Sequence, residues 1–453
     1  MNSDDLVDIT SLSAAEALAA MHEGRTSAED LVKGCLARIK ADDDRVQAWI
    51  FLDEERALEQ ARNVDRVRRE GHPMGPLHGL PVGIKDIIDT ADMPTEDGTV
   101  LNAGRRPPYD AAVVERLRSA GAIILGKTVT TELATYSPGK TRNPVNPEHT
   151  PGGSSSGSAA AVAAHMVPLA IGTQTNGSVI RPAAYCGVFG YKPTFGLVSR
   201  HGILEQSRPL DQVGFFARTV EDLAIIADPM IGYDERDSAT RHVSRPNLRE
   251  VALQEPPMPP IFAFTKTPNW GDAEEQTRQA FEEVAEALGD QAKPFSVPSI
   301  FNSAWQWHAT VMEADLARNF HDLYERGRDK LSDSLRSQIE RGRLVTAVDY
   351  NNAVDRIEAT SVAFEEIFDR CDVIMTAATA GPAPHGLEST GSPSFCTLWT
   401  FAGMPAVTLP LLKAENGMPM GIQLVGRRGD DARLLRTARW MVNWVQELER
   451  SAS

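Results

Sequence analysis

Two clusters of glycine and small hydroxyl residues, Gly152 to Ser158 and Thr173 to Ser178, flank one short apolar segment and run on into Arg181-Pro182. No other stretch restricts the fold as strongly. Small residues let backbone come close to a neighbour, and glycines permit the positive φ that lines up N–H groups as an anion cradle. A glycine and serine run alone reads as a linker. Here, however, the alanine-rich segment from Ser158 to His165 follows directly and reads as a helix packed inside the core, with its N-terminus facing the clusters. A phosphate-binding P-loop is disfavoured because no Lys-Ser or Lys-Thr follows the glycines at the required offset.

The chain around this stretch is of α/β type. Ser13 to Glu16 and Thr26 to Glu29 read as capping boxes that open helices, and Glu54 to Glu70 reads as a surface helix stopped by Gly71. From Pro76 the pattern turns to short apolar runs broken by Gly and Pro, with a helix over Ala111 to Ala120 and a buried strand over Ala122 to Leu125. Asp228 to Pro260 reads as a crossing connection, Glu274 to Leu288 and Val311 to Phe368 as helical. Strands return at Val373 to Thr376, Ala406 to Leu411 and Met420 to Val425, and a last helix starts at Asp431. The expectation is one large domain over 1–453 with a mixed central β-sheet sandwiched by helices. Within it, 1–75 supplies N-terminal helices, 76–228 and 369–453 the catalytic core, and 229–368 a mostly helical variable region.

Charge and cysteine usage narrow the setting. A net charge of -16 argues against a surface for nucleic acid or anionic membrane, since phosphate binding needs Lys and Arg gathered on one face. The four cysteines (Cys35, Cys186, Cys371, Cys396) show no metal-ligand spacing, so neither a metal site nor a disulfide framework is expected. The acidic opening MNSDDLVDIT lacks the order of a signal peptide, and a cytoplasmic location is inferred.

Three stretches in order, LHGLPVGIKD (Leu77 to Asp86), TPGGSSSGSAAAVAA (Thr150 to Ala164) and GTQTNGSVIRPAAYCG (Gly172 to Gly187), resemble the amidase signature family. DAAVVERLRSAGAIILGKT (Asp110 to Thr128), NPVNP (Asn143 to Pro147), LDQVGFFARTVEDLA (Leu210 to Ala224), FAGMPAVTLP and GMPMGIQLVG extend the likeness over nearly the whole chain. The resemblance implies the family's fold and a Ser-Ser-Lys triad without metal or organic cofactor. Ser178 stands as nucleophile, Ser154 as bridging serine on a cis peptide bond, and Lys85 as base. The backbone of Thr175, Asn176, Gly177 and Ser178 would form the oxyanion hole. A serine hydroxyl needs a base to become a nucleophile. Lys85, with an ordinary pKa of about 10.4, can be that base near neutrality only if burial depresses it.

Other positions have plainer readings. Arg181 either clamps a substrate carboxylate or forms a structural ion pair. Ser155 either contacts substrate or shapes a turn. Asp86 reads as a structural tie, His78 and Cys186 as core, and His165 as a helix-end cap. Asn176 stands where many relatives carry Gly or Ala, and MTAATA at Met375 to Ala380 departs from the family pattern. Trp305, Trp307 and His308 line the pocket or pack helices.

The expected function is hydrolysis of a small carboxamide, such as one bearing a carboxylate, by a free-standing enzyme resembling small-substrate amidases such as the malonamidases. The expected partners are a small amide alone, with no nucleic acid and no membrane, in a monomer or homodimer. The alternatives are the A subunit of a glutamine-dependent tRNA amidotransferase, which passes ammonia to a partner, and a non-catalytic binding protein on the same fold.

Overall fold

Eleven strands form one mixed sheet in the computed structural model, which describes residues 9–244 and 246–452. The first eight residues of the acidic N-terminal segment lie outside the described residues. In chain order the strands are β1 Trp49–Leu52, β2 Pro81–Lys85, β3 Ile123–Thr128, β4 Leu169–Gln174, β5 Phe189–Lys192, β6 Gln212–Ala217, β7 Phe262–Lys266, β8 Ala292–Ser296, β9 Val373–Ala377, β10 Ala406–Lys413 and β11 Pro419–Val425. They lie in the order β1-β3-β2-β4-β6-β5-β10-β11-β9-β7-β8. Helices cover the sheet, so the molecule is a single α/β domain with a large mixed central sheet flanked by helices.

The centre of the sheet is apolar because it is covered on both faces. β2, β3 and β4 run parallel and are buried at every position. Such strands lack the polar alternation of half-exposed ones. β2 ends at Lys85 and β4 at Gln174, so both deliver their last residues to the same edge, where ligands of parallel sheets gather.

The helix after the first glycine cluster, Ser156–Ala163, begins two residues before the expected start and is buried throughout except at Ala163. Its close seat depends on Gly157. A Cβ there would stand 2.3 Å from Ala48 O and 2.4 Å from Val129 N. Gly172 opposite it is as tightly placed, with Ser155 Oγ 2.5 Å from a built Cβ. His165 follows the helix at φ 57, a left-handed helix end.

Local signals translate directly into structure where a side chain does the capping. Ser13 and Glu16 make both bonds of a capping box. The second box is displaced by one residue, because Ser27 rather than Thr26 is the N-cap and takes the N–H of Asp30. Residues 229–368 carry four helices from Ala304 to Ala363, but also contribute β7 and β8, which extend the sheet to its far edge. No helix among the described residues is long and apolar enough to cross a membrane.

Candidate active site

Lys85 is wholly buried at the end of β2, and its Nζ lies 2.7 Å from Ser154 Oγ and 2.8 Å from Thr173 Oγ1. Burial holds its ammonium well below the ordinary lysine range, while the charge of Asp211 works in the opposite direction. Both bonding partners are neutral hydroxyls, so nothing at hydrogen-bond distance demands that the amine carry a proton. The Gly153–Ser154 peptide bond is cis.

Ser178 sits on the turn after β4, 8% exposed, and its hydroxyl makes no hydrogen bond among the described residues. The Ser154–Ser178 link expected of a relay is therefore not closed in this structure. The N–H groups of Thr175, Asn176, Gly177 and Ser178 also meet no acceptor among the described residues. Those of Val179 and Ile180, immediately after, do. Gln174 Oε1 accepts them at 2.8 and 3.0 Å. Sequence reasoning places Thr173 and Gln174 in the second cluster but assigns neither a contact, although a polar side chain at the end of a buried strand is itself a signal.

Thr175 Oγ1 lies 2.6 Å from both Gln206 Oε1 and Asp211 Oδ1. One hydroxyl proton cannot serve two acceptors. Gln206 spends its Nε2 donor on Leu133 O, so the second short contact calls for a proton on Asp211, whose carboxyl burial pushes up to about 6.

Arg181 is buried, and its Nε and Nη2 both donate to Gly153 O, at 3.3 and 2.7 Å, while Nη1 donates to Gly391 O. No carboxylate lies within ion-pair range among the described residues, and burial lowers its pKa. The guanidinium thus holds the carbonyl of the cis peptide. Ser155 Oγ exchanges two 3.2 Å bonds with the backbone of Thr173, tying the helix start to β4.

A cavity of about 300 Å³ opens beside the turn, lined among others by Tyr136, Asn176, Trp305, His308 and Thr397. Asn176 is held there by both ends of its amide: Nδ2 donates to Tyr136 Oη at 3.0 Å, and Oδ1 accepts from Thr397 Oγ1 at 2.7 Å. Trp305 lines this cavity and donates to Ser394 O at 2.9 Å. Trp307 instead packs against Phe401 in the helical core. Asp86 accepts the N–H of Glu96, and Cys186 lies buried with Sγ 3.4 Å from Pro151 O.

A buried lysine bonded to a serine, beside a turn of free N–H groups, defines an amide-hydrolase class of site. The amidase family model matches residues 30–435, and the chain belongs to that family. It is a hydrolase of amidase type. The A subunit of the glutamyl-tRNA(Gln) amidotransferase of Chloroflexus aurantiacus is 34% identical over 95% of this chain and 96% of its own length. A chain solved in a vestigial protein complex that reveals the evolutionary origins of an s-triazine catabolic enzyme superposes with a TM-score of 0.89 at 28% identity, covering 95% of this chain and 98% of that one. The peptide amidase of Stenotrophomonas maltophilia does so at 0.82 and 29% identity, covering 94% and 95%.

These relatives correct the expected partners. Full-length likeness to the A subunit of a glutamyl-tRNA(Gln) amidotransferase, and to a chain of a protein complex, removes the ground for a chain that meets a small amide alone, without nucleic acid, as monomer or homodimer. Net charge misled because it averages over a whole surface, whereas a partner contacts one face.

Proposed function

We propose that the chain is the amide-cleaving component of an amidotransferase-type assembly, in which Ser178 attacks the carboxamide of glutamine and ammonia is released for a partner to use. The observation that carries the chemistry is the buried Lys85, 2.7 Å from Ser154. A neutral amine can donate to Thr173 and accept from Ser154 at once. Ser154 then passes the Ser178 proton to Lys85 and later returns it to the leaving amine. The negative oxygen that develops is met by the N–H groups of the Thr175 to Ser178 turn; removing one such donor costs roughly 10²-fold in rate. Water hydrolyses the acyl-Ser178 ester and frees the enzyme. The assembly rests on the end-to-end likeness to amidotransferase A subunits. Glutamine is itself a small carboxamide with a carboxylate, so the substrate chemistry stays within the expected class.

The test is glutaminase activity of the purified chain alone and after co-expression with the other components of such an assembly. Glutamine hydrolysis that rises at least about tenfold in the co-purified complex and vanishes in Ser178→Ala supports the proposal. Failure to form any complex, with full activity of the isolated chain on short amides but none on glutamine, contradicts it.

A further inference from the structure

The Thr175 to Ser178 turn is held from outside, carbonyl by carbonyl. Thr175 O accepts from His308 Nε2 at 2.9 Å, Asn176 O from Thr400 Oγ1 at 2.5 Å, and Gly177 O from the backbone N–H of Arg181 at 3.0 Å. In a trans peptide the C=O of one residue points opposite to the N–H of the next. Drawing Thr175 O toward His308 therefore turns the N–H of Asn176 away from it; Thr400 does the same for Gly177, and the helix for Ser178. These are three of the N–H groups that no acceptor among the described residues satisfies.

The chemistry of each donor is settled by its partners. A carbonyl only accepts, so the proton of His308 sits on Nε2. The ring is 2% exposed, and burial pushes its pKa down to about 4, so it stays neutral where the enzyme works. Thr400 Oγ1 accepts from Gln174 Nε2 at 2.8 Å, which leaves its own proton for Asn176 O. His308 comes from the Ala304–Asn319 helix and Thr400 from Ser394–Phe401, both remote in sequence from the turn they grip.

We infer that His308 is a positioning residue for the reaction, which, through the Thr175 carbonyl, aims the Asn176 N–H at the oxygen that becomes negative when Ser178 is acylated. This rests on the reading of Ser178 as nucleophile. Thr400 acts likewise on the Gly177 N–H. Neither side chain exchanges a proton with substrate.

The test uses the rate of covalent labelling by a fluorophosphonate, whose phosphoryl oxygen takes the oxyanion position. His308→Ala and Thr400→Val should each lower the maximal labelling rate by about tenfold or more, with the half-saturating reagent concentration changed less than about twofold. His308→Gln keeps an N–H donor and should recover most of the rate. The shape of the pH profile between about pH 6 and 9 should not change, because the ring is neutral throughout that range. Equal labelling rates in all three variants, no advantage of Gln over Ala at matched melting temperature, or loss of a pH limb on substitution would overturn the inference. Should His308→Ala not fold, Thr400→Val and His308→Gln decide it alone. Adducts that map away from Ser178, or persist in Ser178→Ala, would instead overturn the underlying reading.

Discussion

At the scale of single residues, the site is governed by what burial does to charge. Lys85 and Asp211 are both pushed toward their neutral forms, and each charge would stabilise the other. Above about pH 6 Asp211 is increasingly ionised, and its negative charge raises the pKa of Lys85. Asp211→Asn removes that charge, lowers the pKa of Lys85 and enlarges its neutral fraction at a given pH. The acid limb of the rate profile should therefore move to lower pH, even if the maximal rate falls. A limb that stays in place or moves upward would show that the two groups are not coupled in this way. Lys85, Ser154 and the turn are legible in the sequence because their motifs are contiguous and carry backbone demands of their own. Tyr136, Thr397, Thr400 and Asp211 are not, because their partners at the turn are reached only through the fold, and a threonine in an apolar helix has no distinctive pattern. Arg181 is legible as important but not in what it touches: the paired carbonyls of Gly153 and Gly391 are invisible to any pattern of charges.

Elements show the same division between local and remote information. The Ser13 capping box and the strands from β9 to β11 follow from side chains within a few residues, and the structure departs from them by a residue or two at the ends. β8 escapes because an edge strand such as AKPFS, with a charge, a proline and half-exposed positions, looks like a loop. The loop after β2 contains a second consequence of burial. Asp97 has φ 57, accepts from Asn102 Nδ2 at 2.8 Å, and its carboxyl is pushed by burial up to about 7. A carboxyl raised above its unfolded value binds more protons in the folded state between about pH 4 and 7, so stability falls as pH rises through that window. Asp97→Asn keeps an acceptor for Asn102 and suits the left-handed backbone. Its melting temperature should exceed that of the parent at pH 8, by on the order of 1 kcal/mol in stability, and the gain should shrink toward pH 4. A variant less stable than the parent at pH 8 would show that the ionised carboxylate is satisfied by the charge of Arg105, which works against the effect of burial.

The whole molecule places a strand end, a glycine-rich turn and two remote helices on one sheet edge, and each part is needed for a different reason. β2 buries the lysine; the first cluster brings Ser154 to it. The second cluster presents Ser178 with free N–H groups, and residues from the last third of the chain hold that turn in place. The proposal that this machinery works beside partners rests on the likeness to amidotransferase A subunits over 95% of the chain. The proposed catalysis depends most on Ser178 being activated by a buried, neutral Lys85. Incubation with a fluorophosphonate, followed by peptide mass spectrometry, measures this directly in the parent, Ser178→Ala and Lys85→Ala. A single adduct on Ser178 in the parent, none in Ser178→Ala, and labelling slowed by about 10² or more in Lys85→Ala is the predicted result. An adduct on another residue, or undiminished labelling of Ser178 without Lys85, would contradict it.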